Sequence, residues 1–213
     1  TDLLGIHYHQ LMPWVKPLQR IDRNSPKNVR DYATAHPDKV FKAENGKDEF
    51  VEMASEAFRI ISGDYVTTED GTGIVHIANT FGADDAKVAN IAGVPPIYLI
   101  NKKGETRPMV DLQGKYYELK DLDKNFIDKC LNVSGYQVHA GAYVKNAYDP
   151  QFNQNDVWDQ AASDKAPDLN IELTIEMKKN GTAFNVEKQT HNYPHCWRTD
   201  KPIIYYPLDS WFI

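Results

Sequence analysis

Residues 71–85, GTGIVHIANTFGADD, constrain the fold of this 213-residue chain more than any other stretch. An apolar run hinged by Gly71 and Gly73 carries His76 at its centre and leads straight into Asp84 and Asp85. The pattern predicts a strand that passes into a helix. Side chains alternate along a strand, so Val75 and Ile77 share one face while Ile74, His76 and Ala78 share the other. With the β-branched pair turned to the core, His76 faces the opposite surface or a cleft. Two readings stand: a half-buried histidine bonded to a neighbour, or an imidazole lining a ligand site. The aspartates leave a similar choice. Free amides and the helix dipole favour a carboxylate at a helix start. One aspartate satisfies the cap; the second is either solvated or available to hold a cation, whether a ligand ammonium group or a metal.

Local signals place the remaining elements. LLGIHYHQLMPW reads as a strand ending at Pro13, with His7 and His9 on one surface-facing side. In VFKAENGKDEFVEM, Asn45-Gly46 separates two runs of mixed polarity and marks a hairpin, since both residues tolerate positive φ. FRIISGDYVTTEDGTGIVHIA predicts a second hairpin around its polar, glycine-containing turn. A helix follows over ADDAKVANIAG, started by Asp84 or Asp85 and stopped by Gly93. PPIYLINKKG reads as a strand turning at Gly104. From Asp121 onward, Leu122, Phe126, Ile127 and Cys130 fall at helical spacing and make one apolar face. Residues 136–167 read as a polar insertion or surface arm. In DLNIELTIEMKKNG the apolar residues alternate as in a strand, yet Asp168, the late lysines and Gly181 supply helix ends, and a helix is expected.

The chain is long enough for one large domain, or one domain with an insertion. Apolar runs such as VPPIYLI are too short to span a bilayer, and no charged start with an apolar stretch marks a secretory signal. Two cysteines, Cys130 and Cys196, cannot build a disulfide framework, so a reducing cytoplasm is expected. Thr1 opens the chain without an initiator methionine, as in a piece of something larger. The formal charge of −6 argues against a free-standing nucleic-acid binder, which carries a basic stripe. It leaves room for a module that holds the end of a nucleic acid delivered by a neighbouring domain. In HNYPHCWR, His191, His195 and Cys196 have loosely zinc-like spacing, but Thr199 stands where a second cysteine would complete a pair. No metal is assigned. No Walker loop, G-x-S-x-G or His-Glu-x-x-His occurs, and nothing marks an activated serine or cysteine nucleophile.

Taken together, GDYVTTEDGTGIVHIANTFGADD and HNYPHCWRTDKPIIYYPLDSWFI resemble the isoleucyl-tRNA synthetase family, at the editing insertion that interrupts its nucleotide-binding catalytic domain. The resemblance extends through TDLLGIHYHQLMPW and GKYYELKDLDKNFIDKCL and thins only around residues 136–167; SWFI marks the return to the synthetic domain. It implies a β-rich α+β fold: a barrel-like core of short strands with peripheral helices, of the valyl, isoleucyl and leucyl type. It divides the chain into an editing domain over 1–190 and a return segment over 191–213. The implied reaction is hydrolysis of valine wrongly esterified to isoleucine tRNA. A missing methylene limits isoleucine-over-valine discrimination to about 150-fold, a value established for this family and not read from these residues. A second, smaller pocket excludes isoleucine by steric overlap and cleaves what enters.

The resemblance also implies roles. Asp85 matches the family's aspartate that grips the substrate α-ammonium group, and His76 the histidine that lines the aminoacyl pocket; these are the candidate catalytic residues. Gly71, Thr72, Gly73, Thr80 and Asp84 are the candidate substrate-binding residues, with the glycines letting the backbone approach the substrate. ATP and magnesium serve the parent enzyme, the segment needs no cofactor of its own, and zinc is not expected. The implied partners are isoleucine tRNA and the synthetic domain of the same chain, with no membrane. Two departures matter. The family's threonine-rich strand has no equivalent here, and Asn79 stands where the family carries proline, which loosens the backbone between His76 and Asp85. Two alternatives stay open: a non-catalytic module that holds the tRNA end, and a zinc-dependent hydrolase built on His191, His195 and Cys196. Trp211 and Phe212 are expected to lie exposed.

Overall fold

The computed structural model describes residues 2–67, 69, 72–154, 157–188 and 192–208. The fold is mixed α+β, and its contacts gather into two compact units. One holds Thr1–Met109, Leu119–Val138 and Pro207–Ile213; the other holds Val110–Glu118 and His139–Tyr206.

The first unit is built on an antiparallel sheet of β1 (Leu18–Ile21), β2 (Val40–Lys42) and β3 (Glu49–Glu52), in the order β1-β3-β2. The expected turn joins β2 to β3, with Gly46 at a φ of 68°. Asn45 makes this turn because its Oδ1 accepts the amides of Lys47 and Asp48 at 2.9 and 3.1 Å. Its Nδ2 donates to the Lys103 carbonyl at 3.0 Å. That carbonyl lies in the next hairpin, between β4 (Leu99–Ile100) and β5 (Thr106–Arg107), where Gly104 has a φ of 81°. β3 is covered on both faces, since both Phe50 and Val51 are fully buried. Val51 packs with Val29 of α1 (Lys27–Ala35), and the Phe50 ring lies 5.9 Å from that of Phe41. Each such side chain contributes about 1.5–3 kcal/mol through burial.

Three helices complete this unit: α2 (Ala83–Ala92), α3 (Lys124–Cys130) and the short α4 (Val133–Tyr136). Buried Asp123 caps α3. Its Oδ1 accepts the Phe126 N–H at 3.0 Å and its Oδ2 the Glu44 N–H at 2.7 Å. The Glu44 carboxylate in turn accepts the Lys124 N–H at 2.8 Å. The cap moves the helix start two residues past Asp121, while Leu122, Phe126 and Cys130 are buried as the apolar face requires.

The second unit contains a hairpin of β6 (Asn153–Gln154) and β7 (Val157–Trp158), then α5 (Gln160–Lys165) and α6 (Leu169–Lys179). Much of the polar stretch 136–167 therefore folds locally. Asn146 Nδ2 donates to the Ser163 and Ala166 carbonyls, both at 3.1 Å, and so satisfies the end of α5. α6 is a helix as its ends dictate: Asp168 accepts the Ile171 N–H at 3.1 Å, and Gly181 follows at a φ of 68°. Alternating apolar residues scatter around a helix, which leaves Ile171 and Ile175 exposed.

Other expectations are corrected. Residues 3–14 form no strand; Gly5 and Ile6 bond to Ile60, and Tyr8 to Phe58, around an isolated His7–Arg59 bridge. The turn expected for the second hairpin lies partly outside the described residues, and 58–60 bond instead to this earlier segment. Segment 74–78, expected as a strand, pairs with no strand among the described residues and stays irregular. β-Propensity expresses fit to a partner surface, and among the described residues none is paired with it. Among the described residues the sheets have three, two and two strands, and none closes into a barrel. Among them also, no helix is long and apolar enough to cross a membrane. Thr1, Gly71, His191, Trp211 and Phe212 lie outside the described residues.

Candidate functional site

The strand-to-helix stretch singled out in the sequence becomes an exposed loop, a tight turn and a helix. Thr72 and Gly73 open it, and Gly73 takes a φ of 73°, a left-handed backbone that favours glycine. The Thr72 hydroxyl stays local, bonded to Ile74 N and O at 3.3 Å. Ile74, Val75 and His76 are all exposed, while Ile77 and Ala78 are half-buried. The expected alternation of faces is therefore absent: Val75 faces solvent with His76. Among the described residues, the His76 ring makes no hydrogen bond, so the half-buried and bonded histidine is not what forms.

The turn 78–82 reverses the chain. The Ala78 carbonyl accepts the amides of Phe81 and Gly82 at 3.0 and 2.9 Å. Two side chains tie it to the segment that leads into β4: Asn79 Nδ2 donates to Pro95 O at 3.1 Å, and Thr80 Oγ1 to Ile97 O at 3.2 Å. A hydroxyl has one proton, so Thr80 retains only acceptor capacity toward any ligand.

Gly82, not an aspartate, occupies the N-cap of α2, and no side chain caps it. Asp84 and Asp85 sit in the first turn, where the unpaired amides and the macrodipole stabilise negative charge. Asp84 is exposed. Asp85 is half-buried and reaches back, its Oδ2 accepting the Ala78 N–H at 3.0 Å. A Cβ on residue 82 would stand 2.6 Å from that same oxygen, so the approach depends on glycine. Among the described residues, Asp85 Oδ1 accepts no hydrogen bond. Gly93 ends the helix at a φ of 70°, as expected. The outcome is one carboxylate oxygen fixed by the fold and one open, at the positive end of a helix, beside an exposed imidazole-bearing loop. Such an arrangement can hold an ammonium group.

Two shallow concavities of about 300 Å³ lie elsewhere in the first unit. One is lined by Asn28, Glu56, Arg59 and the end of α2, the other by Phe41, Lys42 and three residues of α3. Neither involves residues 72–85.

Of the zinc-like cluster, His191 lies outside the described residues. His195 Nδ1 bonds the Asp200 carbonyl at 2.8 Å, and Cys196 lies in the same turn. Among the described residues no group of three or more histidines, cysteines or acids is placed to hold a metal. The Cys196 thiol is shifted below its ordinary range by the Thr199 hydroxyl and then by the Arg198 and Thr199 amides. Burial pushes the Cys130 thiol up to about 12. One pair escaped the sequence reading: buried His139 lies 2.9 Å from Glu176 Oε2 of α6. Thirty-seven positions separate them, and no local spacing signals the contact. The Asn79 tether was missed for the same reason.

No family model matches the chain. Curated relatives do. The isoleucine–tRNA ligase of Bacteroides thetaiotaomicron is 52% identical over 213 residues, covering 100% of this chain and 16% of the relative. That of Bacteroides fragilis is 50% identical over 212 residues, covering 100% of this chain and 14% of the relative. That of Porphyromonas gingivalis is 46% identical over 212 residues, with 100% and 15% covered. The chain thus spans 14–16% of the length of these relatives.

Proposed function

The chain belongs to the isoleucyl-tRNA synthetase family, and from that membership we propose that it is the editing part of such an enzyme, which hydrolyses valine mis-esterified to isoleucine tRNA. Residues 1–190 are the editing domain in this reading, and 191–213 lead back to the synthetic domain, where ATP and magnesium drive isoleucine ligation. The observation that supports it best is the half-committed Asp85 carboxylate at the start of α2.

An amino acid esterified to tRNA presents an α-ammonium group and an activated carbonyl. Asp85 Oδ1, backed by the helix dipole, binds the ammonium. His76 lines the aminoacyl side, and Asp84 adds negative potential at the same helix end. Gly71, Thr72 and Gly73 let backbone approach the terminal ribose, and Thr80 accepts a hydrogen bond from it. Water adds to the ester carbonyl, the ribose oxygen leaves with a proton, and valine and uncharged tRNA result. No covalent nucleophile is needed, because holding an activated ester against a fixed water supplies much of the acceleration. The partners are the tRNA end and the rest of the same polypeptide.

In the full-length enzyme, Asp85→Ala should lower deacylation of valyl-tRNA by about 100-fold or more, with isoleucine-dependent ATP–pyrophosphate exchange retained. A second reading is a module that holds the tRNA end without cleaving it, favoured by the absence of residues 72–85 from both concavities. No release of free valine from valyl-tRNA, with tRNA binding retained, would select it.

A further inference from the structure

We propose that Asn79 is a positioning residue: its side-chain amide fastens the 78–82 turn to the Pro95 carbonyl and so sets the direction of the Asp85 carboxylate. The inference rests on the editing reading and adds a residue that touches no substrate.

Three bonds converge on this turn. Asp85 Oδ2 holds the Ala78 N–H at 3.0 Å, Asn79 Nδ2 holds Pro95 O at 3.1 Å, and Thr80 Oγ1 holds Ile97 O at 3.2 Å. The three differ in what lies at their far ends. Pro95 and Pro96 are buried, and the chain runs from them into buried Leu99 and Ile100 of β4. The carbonyls at 95 and 97 are therefore fixed points. The Ala78–Asp85 bond by contrast joins two parts that both have freedom. Residues 74–76 upstream are exposed, with Ile74 bonded only to nearby Thr72, and a carboxylate turns about its own side-chain torsions. Held by that bond alone, amide and carboxylate would swing together. Asn79, the residue next to Ala78, stops the swing at its nearest point. Its acceptor is a backbone carbonyl in a buried segment, which an N–H donor satisfies and an apolar side chain leaves bare.

A displacement of about 1 Å at a reacting group costs on the order of 100-fold in rate. Because Thr80 supplies a second tether, losing Asn79 alone should cost part of that, about tenfold. The test uses the full-length enzyme with valyl-tRNA. Asn79→Ala is expected to lower kcat for deacylation about tenfold with KM unchanged. Asn79→Pro is expected to stay near wild type, since proline stiffens the backbone without the side-chain bond. The position accepts proline: among the described residues the Asn79 N–H makes no hydrogen bond, and Asn79 is not one of the positive-φ residues. Isoleucine-dependent ATP–pyrophosphate exchange, carried out elsewhere in the enzyme, should be equal in all variants. Should Asn79→Ala lose exchange as well, Asn79→Asp, which keeps the volume and removes the donor, takes its place with the same expectation.

An unchanged kcat in the donor-less variant would overturn the proposal. So would a loss in Asn79→Ala that appears as a raised KM with kcat unchanged, which would make the amide itself a substrate contact. The two levels separate cleanly. Asp85→Ala without effect removes the editing reading and this role with it; Asp85→Ala inactive beside an unaffected Asn79→Ala removes the positioning role alone.

Discussion

Asp123 and Asp85 stand at the starts of α3 and α2, and the fold treats them in opposite ways. Asp123 is fully buried and both of its oxygens accept backbone amides, one from Phe126 and one from Glu44, 79 positions away. Asp85 is half-buried and one oxygen accepts the Ala78 amide, while the cap position itself is left to Gly82. The same residue type at two helix starts, at the cap of one and in the first turn of the other, is thus absorbed into structure at α3 and left with spare capacity at α2. Counting accepted bonds, oxygen by oxygen, separates the two where sequence position does not.

The contrast can be broken in solution. Asp123→Ala should have the largest effect on stability. It removes a cap worth about 1 kcal/mol and leaves the Glu44 amide without its acceptor, at about 1–3 kcal/mol. A shift of the urea midpoint corresponding to less than about 1 kcal/mol would erase the distinction between the two aspartates. Gly82→Ala should do the reverse. Its new Cβ meets Asp85 Oδ2 at 2.6 Å, so deacylation should fall about tenfold while the midpoint moves little. Equal rates in Gly82→Ala and wild type would show that the carboxylate can settle elsewhere without loss.

The cysteines give the smallest and cheapest version of the comparison. Burial holds the Cys130 thiol protonated up to about 12, whereas the Thr199 hydroxyl and neighbouring amides shift Cys196 down. Iodoacetamide at mildly alkaline pH should therefore label Cys196 and spare Cys130 in the folded protein; equal labelling would refute the assignment. The sign for stability follows. The unfolded thiol ionises near 9.0 and the folded one near 12, so this contribution is complete below 9.0 and lost as pH rises toward 12. The slope is at most about 1.4 kcal/mol per pH unit.

Parts of the fold that depend on neighbours in sequence were legible. Asn45-Gly46 announced its hairpin, Gly93 and Gly181 their helix ends, and Asp168 its cap, because turns and caps are chemistry among residues a few positions apart. Segment 74–78 was misread because a strand exists only beside a partner, and nothing in GIVHIA says whether one is present. At the site, the two aspartates were visible as a pair, but not their division of labour. The Asp85–Ala78 bond needs the 78–82 turn to bring residues seven apart together, and the Asn79 and Thr80 tethers need the 95–97 segment folded back against it. Polar groups meeting through tertiary structure leave no period to read.

Asn45 has a consequence beyond its own turn. By gripping Lys103 it closes a loop of 58 positions, at a chain-entropy cost of about 3.6 kcal/mol from loop length alone. Residues 71–85 lie inside that loop. Whatever breathing they undergo is leashed at both ends by hairpins that cannot slip register independently. The segment runs between two sheets whose turns are fastened to each other.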